Sequence, residues 1–142
     1  MRDFASNVVV APLWDPIDLG TGDTPKVSEI IDMQGANALL MVLSFGSIAD
    51  TDATFVLLVE DGDNSSLTDN AAVADAYLTG TEVGAAPLFS DDNKVWKIGY
   101  TGPKRYVRLT LTPTNNTGAI LTSAVAIKGS LNLMPQTTQK TG

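Results

Sequence analysis

The apolar residues of this chain come in runs too short for helices, cut apart by clusters of turn-forming residues. Segments 38–45 and 54–59 are near-continuous Leu, Val and Phe, bounded by Gly or Asp/Thr clusters. At that length, with β-branched and aromatic residues enriched, they read as buried sandwich strands. The remaining runs follow suit. A first strand is expected over 7–11, ended by the prolines of 12–16, and another over 27–33 with Val27, Glu29, Ile31 and Met33 on one side. Segments 95–100 and 104–113 are the next strands, joined by the turn Thr101-Gly102-Pro103. In 104–113, Arg105, Val107, Leu109 and Leu111 share the core face, while Lys104, Tyr106, Arg108, Thr110 and Thr112 share the outer one. Asn115-Asn116-Thr117-Gly118 is expected to make a hairpin turn, since Asn and Gly tolerate positive φ. The closing strand, 119–129, is expected to face inward with Leu121, Val125 and Ile127. Segment 60–70 reads as an acidic loop, and 71–78, rich in Ala, as holding a short helical turn.

About eight short strands, with turn signals every dozen residues, define the fold class: all-β, an antiparallel β-sandwich or jelly roll with extended termini. At 142 residues the whole of 1–142 is one domain. Residues 1–25 form an N-terminal arm and first strand, and 135–142 a polar C-terminal tail. The longest apolar run, 38–43, is strand length, so no membrane span is expected. The run 8–11 is too short for a signal-peptide core, which points to synthesis in a cytoplasm.

The chain has no cysteine and no histidine, which removes thiolate nucleophiles, the commonest general base and the commonest transition-metal ligand. Carboxylate chemistry is the remaining route. The pairs Asp91-Asp92, Asp61-x-Asp63 and Asp50-x-Asp52 fall in expected loops, whereas glycosidases set two carboxylates across an apolar cleft. Asp61-Gly62-Asp63-Asn64-Ser65 has the oxygen-rich look of a calcium loop. Its glycine is misplaced for an EF-hand, however, and Ala72 stands where the bidentate Glu belongs. No phosphate-binding glycine loop occurs. The expectation is therefore a protein that is not an enzyme and uses no cofactor or metal.

Charge is divided along the chain. Residues 1–93 hold all 16 acidic residues against Arg2 and Lys26, while 94–142 hold seven basic residues and no acid. Such asymmetry marks either an acidic face that docks on a basic partner or strands that neutralise each other within the fold. Lys and Arg interleaved with Trp96, Tyr100 and Tyr106 could line a single-strand nucleic-acid platform. A pI of about 4.3 argues against nucleic acid as a partner. Charged residues are only 18% of the chain, which suits a surface partly covered by other proteins.

The segment 91–108, DDNKVWKIGYTGPKRYVR, resembles a family of small structural proteins encoded in the head modules of tailed bacteriophages and prophages. The closing-strand segment 124–129, AVAIKG, and the stretches 31–35 and 52–55 fit the same pattern, so the resemblance spans most of the chain. It implies a capsid cement (decoration) protein with a jelly-roll-like fold. Such a protein sits outside the shell, bridges major capsid protein subunits, and is itself a dimer or trimer. Another virion component, such as a head–tail connector, tail or fibre-associated protein, is the alternative, and a carbohydrate-binding β-sandwich module a more distant one. The interface residues expected from the basic segment and the termini are Trp14, Lys104, Arg105, Tyr106, Arg108, Met134 and Pro135. Arg suits bidentate pairing with a partner's carboxylates, and Tyr gives amphipathic contact area.

Overall fold

The computed structural model describes residues 3–133. Two antiparallel sheets face each other across one apolar core. In chain order the strands are β1 (Val9–Asp18), β2 (Lys26–Val27), β3 (Ile31–Asp32), β4 (Ala36–Ile48), β5 (Thr54–Gly62), β6 (Ala71–Ala72), β7 (Leu78–Thr79), β8 (Val95–Tyr100), β9 (Tyr106–Thr114) and β10 (Ile120–Leu131). A one-turn helix, α1 (Glu82–Ala85), lies between β7 and β8. The first sheet has the order β1-β10-β4-β8-β7; the second runs β2-β9-β5-β6, with β3 also on β9. The fold is the expected all-β sandwich, with β2, β3, β6 and β7 only two residues long.

The long strands from β4 onward alternate between sheets: β4, β8 and β10 in the first, β5 and β9 in the second. The 115–118 connection, read as a hairpin in the sequence, is therefore a crossing between the sheets. The 115–118 turn links β9 to β10 over the end of the sandwich, with Asn115 at φ +57°. Asn116 is buried there; its side-chain amide donates to the Gly20 carbonyl at 2.8 Å and its N–H to Asp23 Oδ1 at 2.9 Å. These long-range hydrogen bonds, rather than strand pairing, fix the turn.

The first strand outruns its expected end and passes through both Pro12 and Pro16. Strand β1 lies at the sheet edge and changes register between Pro12 and Trp14 and again between Trp14 and Ile17, so the missing N–H groups cost it little. Residues expected in an N-terminal arm are thus built into the sheet from Val9 onward. The expected 27–33 strand is broken into β2 and β3, because Glu29 donates its N–H to the Leu13 carbonyl instead of continuing the ladder. In the expected helical stretch, β6 and β7 flank a 3₁₀ turn, Asp75–Tyr77.

The core is built mainly from β4 (Leu39, Met41, Leu43, Phe45), β5 (Phe55, Leu57, Val59), β8 (Ile98, Tyr100) and β9 (Val107, Leu109, Leu111). The β10 register differs from the expected one by a single residue. Ile120, Thr122, Ala124 and Ala126 face the core, and Leu121 and Val125 face out. The reason is volume. Ala124 pairs with both Trp14 and Leu43, and Ala126 with Met41, so the inner face of β10 must be small to admit its large neighbours.

One polar group in the core closes the end of the sandwich. The Tyr100 hydroxyl donates to Asp61 Oδ2 at 2.8 Å and accepts the Lys104 N–H at 3.1 Å. Burial, with the Asp61 carboxylate beside it, pushes the phenol well above its ordinary range. Gly102 is required next to it, since a Cβ there would lie 2.5 Å from the Tyr100 ring. Tyr100→Phe leaves a buried carboxylate and an N–H without their partner. It should cost about 1–3 kcal/mol in urea unfolding.

Candidate interaction surface

Lys104, Arg105 and Arg108 of the basic segment are brought together on the second sheet and their charges are spent inside the fold, while Lys94 pairs with Asp91 and Lys97 stands on the first sheet. Arg105 forks onto Asp32, Nε to Oδ1 and Nη2 to Oδ2, both at 2.9 Å, and Nη2 also donates to Gln34 Oε1 at 2.7 Å. Its guanidinium carbon stands 5.0 Å from the Tyr106 ring centroid. Lys104 pairs with Asp63. Arg108 donates to Glu60 Oε2 through Nη2 at 2.7 Å and Nε at 3.1 Å, and Asn70 Nδ2 donates to Glu60 Oε1. The acidic and basic parts of the chain therefore neutralise each other across neighbouring strands, because β9 lies between β5 and the short strands β2 and β3.

The expected interface residues fare differently. Lys104 and Arg105 are exposed beside their partners, and Tyr106 is half-buried. Arg108 is partly covered and holds Glu60, so it serves the sheet itself. Trp14 is only 4% exposed and packs in the core, which corrects its assignment to the surface. After the register change at Pro12, its side chain turns inward over Ala124. Met134 and Pro135 lie outside the described residues.

Several aspartates are held below their ordinary value of 3.8. The Arg105 side chain and the Gln34 N–H do this for Asp32, and the Lys94 ammonium and the Leu88 N–H for Asp91. At Asp50 the causes are the Asp52 N–H and then the N–H and hydroxyl of Thr117; at Asp69 they are chiefly the Asp63 and Asn64 N–H groups. A carboxyl whose folded pKa is depressed binds its proton more readily in the unfolded chain. Its contribution is complete above 3.8 and lost as pH falls through the lower folded values. Melting temperature should accordingly hold steady from neutral pH to about 5 and drop steeply below about 4. Asp50→Asn should blunt that drop.

The surface that the sequence reading missed is the outer face of the first sheet. Because Leu39, Met41, Leu43 and Phe45 point inward, Leu40, Val42 and Ser44 point outward. Ladder register sets them in rows across the strands. One row is Val10, Ile127 and Leu40; the next is Pro12, Val125, Val42 and Lys97; a third is Ser123, Ser44 and Val95. Lys97 is the one charge in these rows. Val95 is 63% exposed and Leu121 45%. Gly46 leaves room for Leu121 to lie across it, since a Cβ at 46 would stand 3.0 Å from the Leu121 Cβ. Beside it, Pro16, Ile17, Asp18 and Ser44 line a shallow groove of about 390 Å³. An alternation count could have found this face only with the β10 register already known.

No protein-family model matches the sequence. No curated protein matches it either. Two solved structures share the fold. The PBSX exported protein XepA superposes with a TM-score of 0.58 at 13% identity, over 94% of this chain and 41% of that one. A chain of infectious bursal disease virus, Gx strain, superposes with a TM-score of 0.52 at 13% identity, over 90% of this chain and 33% of that one. The SPBc2 prophage-derived protein YomS gives a TM-score of 0.45 at 13% identity, over 85% of this chain and 93% of its own length. The chain thus spans well under half of the first two proteins. At such identity the likeness is one of fold.

Proposed function

We propose that this chain is a virion structural protein of a tailed phage, a capsid cement or decoration protein. In this reading it binds the outside of the shell made by the major capsid protein and stabilises it, and it has no catalytic role. The observation that carries the reading is the apolar, nearly uncharged outer face of the first sheet. Four strands about 4.8 Å apart and the seven residues from Leu121 to Ile127 rising about 3.3 Å each make a face roughly 15–20 Å by 20–25 Å. Its projected area of about 300–500 Å² is roughly half of one partner's share, about 800 Å², in a standard protein interface. Contiguous apolar patches of this kind mark interaction sites. The resemblance of segment 91–108 to phage head proteins supports the phage setting, and the fold shared with a prophage exported protein and a virus chain is compatible with it.

Docking then rests on apolar burial, with Lys104 and Arg105 at most at its periphery, since their charges are already matched by Asp63 and Asp32. Repetition over a symmetric shell makes modest individual contacts effective, and a dimer or trimer would add to this. The direct experiment mixes purified protein with expanded capsids that lack it, and measures co-sedimentation and heat resistance of the shells. Binding that raises the temperature of capsid disruption is expected. Absence of both effects would remove the cement reading.

A further inference from the structure

We infer that the free edge of β5, with α1 and Trp96 as its walls, is a strand-addition site for an extended, lysine- or arginine-bearing peptide segment of another protein. The site lies on the second sheet, apart from the outer face of the first, and does not depend on the capsid reading. The argument begins with backbone accounting. Val59 accepts the Val73 N–H at 2.9 Å and donates its own N–H to Glu82 Oε1 at 2.5 Å, so the polar groups of Val59 point away from β9. On β9, Leu109 opposite it exchanges hydrogen bonds with Ser28, which confirms the direction. Backbone groups alternate along an antiparallel strand, so the N–H and C=O of Leu57 and Phe55 point to the same free side. Pro113 opposite Phe55, with no N–H to offer β5, fits that phase.

Strand β6 pairs with β5 only at Glu60 and Asp61, and no described residue hydrogen-bonds the outward groups of Phe55 and Leu57. Yet Leu57 is just 2% exposed. Such groups are almost always paired in native proteins. The space in front of them is a cleft of about 490 Å³ lined by Phe55, Val56, Leu57, Val83, Pro87 and Trp96, among others. The Trp96 indole N–H, buried on the far wall, has no acceptor among the described residues. An edge with free donors and acceptors beside an apolar cleft is the arrangement that binds extended strands: main-chain hydrogen bonds give affinity and alternate side chains fill the cleft.

The charge of the occupant follows from the surroundings. Residues 50–93, which build β5, α1 and the segment up to β8, contain ten carboxylates and no lysine or arginine. Glu60, Asp63 and Asp91 are matched by Arg108, Lys104 and Lys94, and the other seven, Glu82 on α1 among them, form no ion pair among the described residues. An approaching strand with basic residues beside its apolar ones is favoured, and an acidic one repelled.

The test is selection of an unrestricted ten-residue peptide library on the immobilised full chain, followed by synthesis of the enriched peptides. Binders should alternate apolar residues with Lys or Arg. They should slow hydrogen exchange at the Phe55 and Leu57 amides at least tenfold, and shift those resonances ahead of any on β10. Val83→Trp should lower their affinity tenfold or more with an unchanged melting temperature, because Val83 is 88% exposed and only the cleft is filled. Leu88→Trp, on the same wall, is the second variant should the first unfold. No enrichment, binders indifferent to these substitutions, or acidic binders would each overturn the proposal.

Discussion

Arg108→Glu is expected to destabilise the isolated domain by about 3–5 kcal/mol, because it breaks a partly buried ion pair and sets two carboxylates face to face. Arg108 and Glu60 pair across β9 and β5 with side chains 23% and 12% exposed, and Asn70 holds the other oxygen of Glu60. For a domain of this size the loss corresponds to roughly 10–17 °C in melting temperature. The charge-swapped double substitution, Glu60→Arg with Arg108→Glu, should recover much of it. Replacing both residues by uncharged ones of similar volume should be tolerated better than either single change. Arg105→Glu is the control: that pair is nearly half exposed, and its loss should stay within about 1 kcal/mol. Denaturant unfolding distinguishes these outcomes directly. Equal, small effects of the two arginine substitutions would mean that Arg108 does not serve the sheet.

The second large effect is on binding. Leu121→Lys together with Val125→Lys should leave the domain folded, since both side chains already face solvent. Surface substitutions of this kind usually move stability by less than about 1 kcal/mol. If the outer face of the first sheet docks on the shell, each lost side chain removes about 1.5–3 kcal/mol of apolar burial. The pair should then weaken binding by about two to four orders of magnitude. Quantitative co-sedimentation at several protein concentrations measures this. Unchanged affinity with intact folding would move the docking site elsewhere.

The strands were legible where composition and period agreed. In β9 the alternation of Val107, Leu109 and Leu111 with Tyr106, Arg108 and Thr110 identifies both faces correctly. In β10 the same reasoning failed by one residue. It assigned the larger side chains to the core, whereas the inner face had to stay small beside Trp14, Leu43 and Met41. A one-residue slip turns every side chain over, and here it hid the apolar outer face. The charge division was visible at once, and neutralisation between strands was one of its two readings; which acid meets which base was not legible. That Asp32, Asp63 and Glu60 would meet Arg105, Lys104 and Arg108 depends on β9 lying between strands far away in sequence. The β5 edge was also invisible, because a strand that stops short of its neighbour leaves no signature in the sequence of either.

The prolines of β1 bear on what this molecule does in a crowd. A sandwich with a water-facing apolar sheet risks growing by edge-to-edge pairing into ribbons. Pro12 and Pro16 interrupt the donor pattern along one border of that sheet, and two shifts of register bend it away from a flat template. The opposite border ends in β7, which at two residues is too short to seed another strand. Edge-to-edge growth of the first sheet is therefore opposed at both of its borders.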